Sequence, residues 1–172
     1  MGRSFDAAFR AEFAPLHRYL ARRVGPASAD ELAAETFAVA FRNWDRLDPA
    51  RPVRPWLYGI AANLMRHHWR KERRMLRAYA RSGVDPVFAD EDAAVERADA
   101  EARHRELAAA LAELRKDERE ILLLHAWADL TDSEIADALG IAVGTVKSRL
   151  SRTREKLRNR LEPVGQEPVE AS

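Results

Sequence analysis

Apolar side chains recur at steps of three and four residues through most of this chain, and no segment shows the sustained alternation of a β-strand. This spacing places apolar residues on one face of an α-helix. The first predicted helix ends at Gly25-Pro26. Its apolar stripe consists of Phe5, Phe9, Phe13, Leu16, Leu20 and Val24. The pattern therefore predicts an all-α protein.

Two more helices are predicted before residue 83. The sequence Ser28-Ala29-Asp30-Glu31 has the residue types of a capping box, so the second helix is expected to begin there and to end near Leu47-Asp48-Pro49. A proline-rich loop follows, and the third helix begins at about Pro55, because proline is tolerated in a first helical turn. Beyond Met65 this helix turns strongly basic, and Ser82-Gly83 is its predicted end.

The acidic segment at residues 83–102 divides the chain. It contains glycine, proline and many acids but no strong apolar stripe, and is interpreted as an interdomain linker. We expect two small helical domains, at residues 1–82 and 103–162. The last residues, 163–172, are predicted to be a disordered tail.

The second domain contains the pattern of a helix-turn-helix. Thr131-Asp132-Ser133-Glu134 is a second capping box and predicts the start of a short helix. Gly140 follows where a left-handed C-cap is needed, which glycine adopts without steric cost. A longer basic helix comes next, with a buried stripe predicted at Val146, Leu150, Leu157 and Leu161. A short helix, a glycine turn and a basic second helix are typical of DNA-binding proteins.

The distribution of charge supports contact with a polyanion, although the net charge of the 172 residues is only +1. Residues 66–81 hold seven basic residues and one acid, and residues 145–160 hold the same numbers. Between them, residues 85–106 hold eight acids and three bases. Two basic helices separated by an acidic segment indicate a protein that binds a polyanion at two sites.

Other kinds of chemistry find little support in the sequence. The chain has no cysteine, which excludes disulfides and thiolate metal sites, and His67 and His68 are adjacent, a poor geometry for a metal pair. No glycine-rich phosphate loop or catalytic triad pattern is recognisable. We therefore expect no cofactor, no metal and no enzyme activity. Without a signal-peptide pattern or a run of about 18 apolar residues, a cytoplasmic protein with no membrane insertion is expected.

Three segments, in order along the chain, resemble the bacterial sigma factors of the extracytoplasmic-function (ECF) type, within the sigma-70 family. Residues 130–157, above all Val143-Gly144-Thr145-Val146-Lys147-Ser148-Arg149, are similar to region 4, which reads the −35 promoter element. Residues 29–37 resemble the part of region 2 that docks on the clamp helices of the polymerase β′ subunit. Residues 55–64 and the basic extension after them resemble the part that melts and reads the −10 element.

The resemblance implies an alternative sigma factor that binds core RNA polymerase and directs transcription initiation at promoters with −35 and −10 elements. Its implied partners are promoter DNA, the β′ clamp helices and β flap of the polymerase, and an anti-sigma factor. The residues implied for −35 DNA are Thr145, Lys147, Ser148, Arg149, Ser151, Arg152 and Arg154. Those implied for −10 DNA are Arg51, Arg54, Trp56, Asn63, Arg66, Arg70, Lys71, Arg73 and Arg74. Those implied for core polymerase are Asp30, Glu31, Glu35, Thr36, Phe37 and Phe41.

The chain also departs from the family pattern. Glu31 stands where the family often has aspartate, and Ala34 where it often has glutamine. Gly59 and Ala62 stand where an arginine is frequent, so fewer cations are expected to face −10 DNA at these positions.

Two other interpretations remain open on the sequence. A two-domain DNA-binding regulator with a sensing or dimerising N-terminal half explains the helix-turn-helix, but not the segment from Trp56 to Asn63 followed by a basic helix. An all-α enzyme or nuclease would use the basic surface, but it needs a metal or nucleophile cluster that the sequence does not offer. Co-purification with core polymerase separates all three.

Overall fold

The computed structural model describes residues 4–82 and 97–161, and these residues form α-helices and one short 3-10 helix without any β-strand. The all-α prediction is thereby confirmed. The helices are α1 (Phe5–Val24), α2 (Pro26–Arg42), the 3-10 helix (Trp44–Arg46), α3 (Val53–Met65), α4 (Trp69–Ser82), α5 (Arg97–Glu113), α6 (Lys116–Ala126), α7 (Asp132–Leu139) and α8 (Val143–Leu161).

The first helix ends as predicted, but the second begins differently. Gly25 has a φ of 85° and separates α1 from α2, a conformation that favours glycine. The predicted capping box at Ser28 is wrong, because Pro26 already occupies the first turn of α2. Ser28 is buried inside the helix, and its hydroxyl accepts a hydrogen bond from the Nζ of Lys71 in α4.

The predicted third helix is two helices in the structure. The backbone amides of Arg66, His67 and His68 donate to carbonyls three residues earlier, at 3.2, 3.4 and 2.9 Å. This tight turn redirects the chain between α3 and α4, so the basic segment lies on a helix of its own. The hydrophobic periodicity of the sequence continues across the turn and therefore did not indicate it.

The buried apolar residues form one continuous cluster that includes both predicted domains. Leu20 and Leu57 from the N-terminal half belong to it, as do Leu111, Leu123 and Ile135 from the C-terminal half. Within and against this cluster, aromatic rings join α1 to α2, with Phe37 lying edge-on to Phe9 at a ring distance of 4.8 Å. The helix-turn-helix thus lies directly against the N-terminal half of the chain.

Some predictions fall outside the described residues. These are the predicted tail at residues 163–172 and the predicted linker up to residue 96. The remaining part of the predicted linker is helical, because α5 begins at Arg97. None of the helices in the described ranges combines the length and the apolar character needed to cross a membrane.

Candidate nucleic-acid interface

The helix-turn-helix is built as its sequence predicts. The Thr131 hydroxyl accepts a hydrogen bond from the amide of Glu134 at 3.3 Å, and the Glu134 carboxylate accepts one from the amide of Thr131 at 2.9 Å. These reciprocal bonds satisfy two amides at the start of α7. Gly140 ends that helix with a φ of 66° and a ψ of 37°, in the left-handed region. The cap and the glycine thus fix where α8 leaves the turn.

The predicted −35 residues lie on the solvent side of α8. Val146, Leu150 and Thr153 are buried and hold the helix on the core, while Leu157 is partly buried against it. Thr145 and Arg149 are half-buried. The exposed members of the predicted set are Lys147, Ser148, Ser151, Arg152 and Arg154.

The seven cations of α8 fall into two groups. Three are paired with carboxylates of α5 and α6: Arg149 with Asp117, Lys156 with Glu118, and Arg160 with Glu113. The other four have no carboxylate partner within residues 4–82 and 97–161, and these are Lys147, Arg152, Arg154 and Arg158. Cations without an acidic partner are the ones available to phosphates.

Three of these four cations line one groove. Lys147, Arg154 and Arg158 border it together with Ser151, and two carboxylates, Asp132 from the start of α7 and Glu155 of α8, also line it. Arg152 lies on the adjacent face of α8, where its Nε donates to the carbonyl of Ser148 at 3.2 Å. Arg158 lies four residues after Arg154, a spacing that places both on one helical face.

A second basic surface covers α4. Glu72 and Leu76 are the buried residues of this helix. A shallow depression on it is lined by Trp69, Arg70, Arg73, Arg74 and Arg77. The guanidiniums of Arg70 and Arg73 lie 6.0 and 5.5 Å from the ring centre of Trp69. Cations over a half-buried aromatic ring suit a nucleic-acid backbone and its bases. Of the other predicted −10 residues nearby, Arg66 is exposed and Lys71 bonds to Ser28.

A cavity of about 340 Å³ lies between the end of α2, the following loop and α3. Arg51 and Trp56, both predicted for −10 DNA, line it, and Ile60 continues the wall along α3. The exposed Asn63 lies on the same helical face as Trp56 and Ile60 but one turn beyond the lining residues. Sequence reasoning missed the polar lining residues Asn43 and Arg46, because neither belongs to a periodic stripe or a recognisable motif.

Two predicted −10 residues are engaged with the C-terminal half. The Nη2 of Arg51 donates to the backbone carbonyl of Asp137 at 2.8 Å. The Nη2 of Arg54 donates to the carbonyl of Ala128 at 2.6 Å, and its Nε lies 3.8 Å from Glu12. The structure thus brings the loop before α3 against the helix-turn-helix.

The residues predicted for core polymerase are split between surface and core. Thr36 and Phe37 are buried, and the Thr36 hydroxyl donates to the carbonyl of Leu32 at 2.7 Å. Asp30, whose carboxylate lies 2.7 Å from the Nε2 of His17, is exposed, as are Glu31 and Glu35. Phe41 is 66% exposed at the end of α2. The outer surface of this helix is therefore acidic and ends in an exposed aromatic ring.

Among the described residues, no group of three or more histidine and acidic side chains is arranged to hold a metal ion. The surfaces described above are basic faces and an acidic helix face, which suit the binding of oppositely charged partners.

Family models match both halves of the chain. The model described as Sigma-70 region 2 matches residues 9–75, and the one described as Sigma-70, region 4 matches residues 104–157. The first range contains α2, α3 and the cavity beside them, and the second contains the helix-turn-helix.

Curated relatives agree with these matches. The chain is 35% identical over 129 residues to the ECF RNA polymerase sigma factor EcfG of Rhodopseudomonas palustris, covering 75% of this chain and 68% of that protein. It is 32% identical over 152 residues to the RNA polymerase sigma factor HrpL of Pseudomonas syringae, covering 86% of this chain and 82% of that protein. It is 30% identical over 169 residues to the ECF RNA polymerase sigma factor SigC of Mycobacterium tuberculosis, covering 94% and 85%.

Solved structures share the fold. The sigma factor RpoE of Bartonella quintana, solved with the anti-sigma factor NepR, superimposes with a TM-score of 0.65 at 21% identity, covering 94% of this chain and 98% of that one. CnrH, solved with the cytosolic domain of CnrY, gives a TM-score of 0.62 at 25% identity, covering 94% and 89%. Sigma factors are non-catalytic transcription initiation factors. The chain therefore belongs to the ECF RNA polymerase sigma factors of the sigma-70 family, and it serves promoter-specific transcription initiation.

Proposed function

We propose that this sigma factor divides its work among three surfaces: α8 reads the −35 element, α3 and α4 bind the −10 element, and α2 docks on core RNA polymerase. The observation that carries this assignment is the separation of charge in the structure. Two basic faces lie on α4 and α8, and an acidic face lies on α2. Basic faces suit DNA, and an acidic face suits a basic protein partner.

For the −35 element, α8 offers donors at two kinds of position. Lys147, Ser148 and Arg152 lie in the N-terminal half of the helix, the part that reaches base edges in a helix-turn-helix. An arginine can bond guanine in two places, which discriminates against a wrong base by roughly 1–3 kcal/mol. Cations further along the helix suit phosphate contacts, which carry no sequence information.

For the −10 element, the cavity beside α3 suits one unstacked base. Trp56 offers an apolar wall, and Arg51, Asn43 and Arg46 offer hydrogen-bonding groups. Stacking on an aromatic ring together with hydrogen bonds to a base edge is how extruded bases are held. Asn63 extends this surface towards α4, where the cations around Trp69 suit the separated strand.

The acidic face of α2 is the proposed site for core polymerase. Glu35→Arg should reduce core binding at least tenfold, because it places a cation opposite a basic partner surface. Glu106→Arg makes the same charge change on the exposed side of α5 and serves as the control. Both variants should keep wild-type helicity. Equal core binding by the two variants in a pull-down with purified core enzyme would contradict the assignment of α2.

Regulation by an anti-sigma protein is also proposed. RpoE of Bartonella quintana and CnrH were solved with the anti-sigma factor NepR and the cytosolic domain of CnrY, respectively. On this proposal the chain acts in the cytoplasm and performs no catalysis itself, since the polymerase makes the RNA. A protein that forms a complex with the chain and blocks its transcription in a reconstituted reaction would support the anti-sigma proposal, whereas a bound protein that leaves transcription unchanged would not.

A further inference from the structure

Gly144, the second residue of α8, is a glycine that no contact within the described residues requires. Glycine is unfavourable in a helix, because its backbone loses more freedom on folding than that of any other residue. The backbone of Gly144 is helical, and its φ is not positive. Beyond its chain neighbours and its own helix backbone, an added Cβ atom would meet no described atom within 4 Å. An alanine would therefore fit this position without strain.

The other described glycines each have a reason within the chain. Gly25 and Gly140 have φ angles of 85° and 66°, which residues with a side chain rarely adopt. Gly59 lies against α7, where an added Cβ atom would be 2.5 Å from the backbone carbonyl oxygen of Ala138. Gly144 has neither kind of reason. A helical glycine without an internal reason indicates a close approach by another molecule.

The start of α8 does not need glycine for flexibility. The backbone amides of Thr145 and Val146 both donate to the carbonyl of Ala142, at 2.9 and 3.2 Å. These bonds close the first turn of the helix around Gly144. The residue therefore lies in a regular helical turn, and the reversal of direction between α7 and α8 is made earlier, at Gly140.

Gly144 lies on the helix face that is proposed for −35 DNA. The residues three, four and seven positions after it share its face of α8, and these are Lys147, Ser148 and Ser151. All three are exposed, as Gly144 is, while the buried residues of α8, among them Leu150, lie on the opposite side. A Cβ atom on Gly144 would therefore project towards the partner of this face and away from the core.

The place of Gly144 along the helix strengthens this argument. In a helix-turn-helix, the residues near the N-terminal end of the second helix are the ones that reach base edges in the major groove. A side chain on the exposed face at that end would stand between the helix backbone and the duplex. Because glycine carries no group that can read a base, it sets the distance between α8 and the duplex and leaves the choice of sequence to its neighbours.

We propose that Gly144 is a positioning residue for −35 recognition. Its missing side chain lets the first turn of α8 approach the duplex closely enough for Lys147 and Ser148 to reach base edges. The inference rests on the proposed function of α8 and adds a position that the predicted −35 residues do not include. A methyl group at position 144 would hold the helix away from the groove. Recognition would then fail although every side chain that binds DNA is still present.

The experiment compares the stability of the full chain with its activity in reconstituted holoenzyme. Gly144→Ala is the test variant, and Gly144→Leu enlarges the obstruction while keeping a strong helix former. Asn159→Ala is the matched control, because it also replaces a poor helix former by alanine at an exposed position of α8. Asn159 lies about four helical turns beyond Gly144, so it is far from the first turn.

The activity assay uses promoter fragments that the wild-type holoenzyme transcribes from a genomic library. Each fragment is tested in an intact form and in a form truncated on the upstream side, so that only the −10 element remains. Run-off transcription from the two forms separates a defect in −35 contact from a defect in folding or in polymerase binding. Urea denaturation of the free chain measures stability.

Stability and transcription should change in opposite directions. Gly144→Ala should raise the folding equilibrium constant about twofold to fivefold, the usual effect of replacing a glycine whose backbone suits alanine. On intact fragments it should lower transcription by a factor of about five or more, as expected for a methyl group forced into a close contact. Gly144→Leu should lower it further. On truncated fragments both variants should equal the wild type, and Asn159→Ala should transcribe normally from both forms.

Three results would overturn the inference. The first is full transcription from intact fragments by Gly144→Ala, and the second is an equal loss on intact and truncated fragments. The third is a lower stability of Gly144→Ala, because the glycine would then serve the fold. If the wild type transcribes both forms equally, α8 does not read a −35 element; the proposed function of that helix then fails, and the role of Gly144 fails with it.

Discussion

Two cations of α8, two residues apart, should contribute differently to DNA binding. Lys156 is bonded to the carboxylate of Glu118, and this bond helps to lower the pKa of Glu118 although partial burial opposes the shift. Arg158 has no carboxylate partner in the described part of the chain and lines the groove with Lys147 and Arg154. We predict that Arg158→Ala removes one phosphate contact, whereas Lys156→Ala removes a charge that Glu118 already neutralises.

The size of the difference follows from counterion release. One phosphate contact contributes about 0.9 to the slope of log K against log salt concentration. Between about 50 and 200 mM salt, that slope changes affinity by about 3.5-fold. Arg158→Ala should therefore flatten the wild-type slope by about 0.9, on specific and mixed-sequence DNA alike. Lys156→Ala should leave the slope close to the wild-type value.

The assay is fluorescence anisotropy with the full-length protein and a mixed-sequence duplex of about 30 base pairs, at several salt concentrations. The two variants change the same net charge on the same helix, so each controls for the other. Equal slopes for Arg158→Ala and Lys156→Ala would refute the division of α8 cations into paired and available groups. Equal slopes would mean that the ion pair between Lys156 and Glu118 does not persist in solution.

Other predictions concern individual contacts. Arg152→Ala should lower transcription from the cognate promoter and relax preference at particular −35 positions, which a panel of promoter variants measures; a uniform loss on every promoter would make Arg152 a phosphate contact. Thr131→Ala should destabilise the protein by about 1 kcal/mol in urea denaturation, because the cap of α7 is lost, while the neighbouring Ser133→Ala should change little. The stabilisation that Glu72 contributes should be complete above the ordinary glutamate pKa of about 4.3 and be lost as the pH falls through its lowered folded value, and Glu72→Gln should abolish that part of the acid transition.

Local signals in the sequence explain why the helix-turn-helix could be predicted closely. The Thr131 cap, the reciprocal Glu134 and the left-handed Gly140 all lie within ten residues, and each acts through its own backbone. Such signals depend little on the rest of the fold. The first helix ended at Gly25 for the same reason.

Other features of the structure depend on tertiary contacts and could not be predicted from the sequence. Ser28 has the residue type of a cap, yet Pro26 starts the helix earlier, and burial against Lys71 gives the hydroxyl another partner. A cluster of buried charged side chains joins Arg23 to Glu120, and these residues are 97 positions apart in the sequence. No periodicity or short motif links residues so far apart, so the sequence did not indicate the cluster. The close approach of Gly59 to the backbone of Ala138 could not be predicted from the sequence for the same reason.

The surfaces proposed for DNA and polymerase could be predicted from the sequence only in part. Exposed cations on α8 followed from its buried stripe, because the stripe fixes which residues face solvent. The ion-pair partners of those cations could not be predicted from the sequence. Asp117, Glu118 and Glu113 come from helices that pack beside α8 only in the folded chain.

As a sigma factor, the chain should give core RNA polymerase its promoter specificity. The most direct measurement is run-off transcription from a library of bacterial genomic fragments, with purified core enzyme alone and with the chain added. We expect new, discrete start sites that share two sequence elements, near −35 and −10, at a fixed spacing. A transcript pattern identical to that of core enzyme alone, with a folded chain that binds the core, would contradict this expectation.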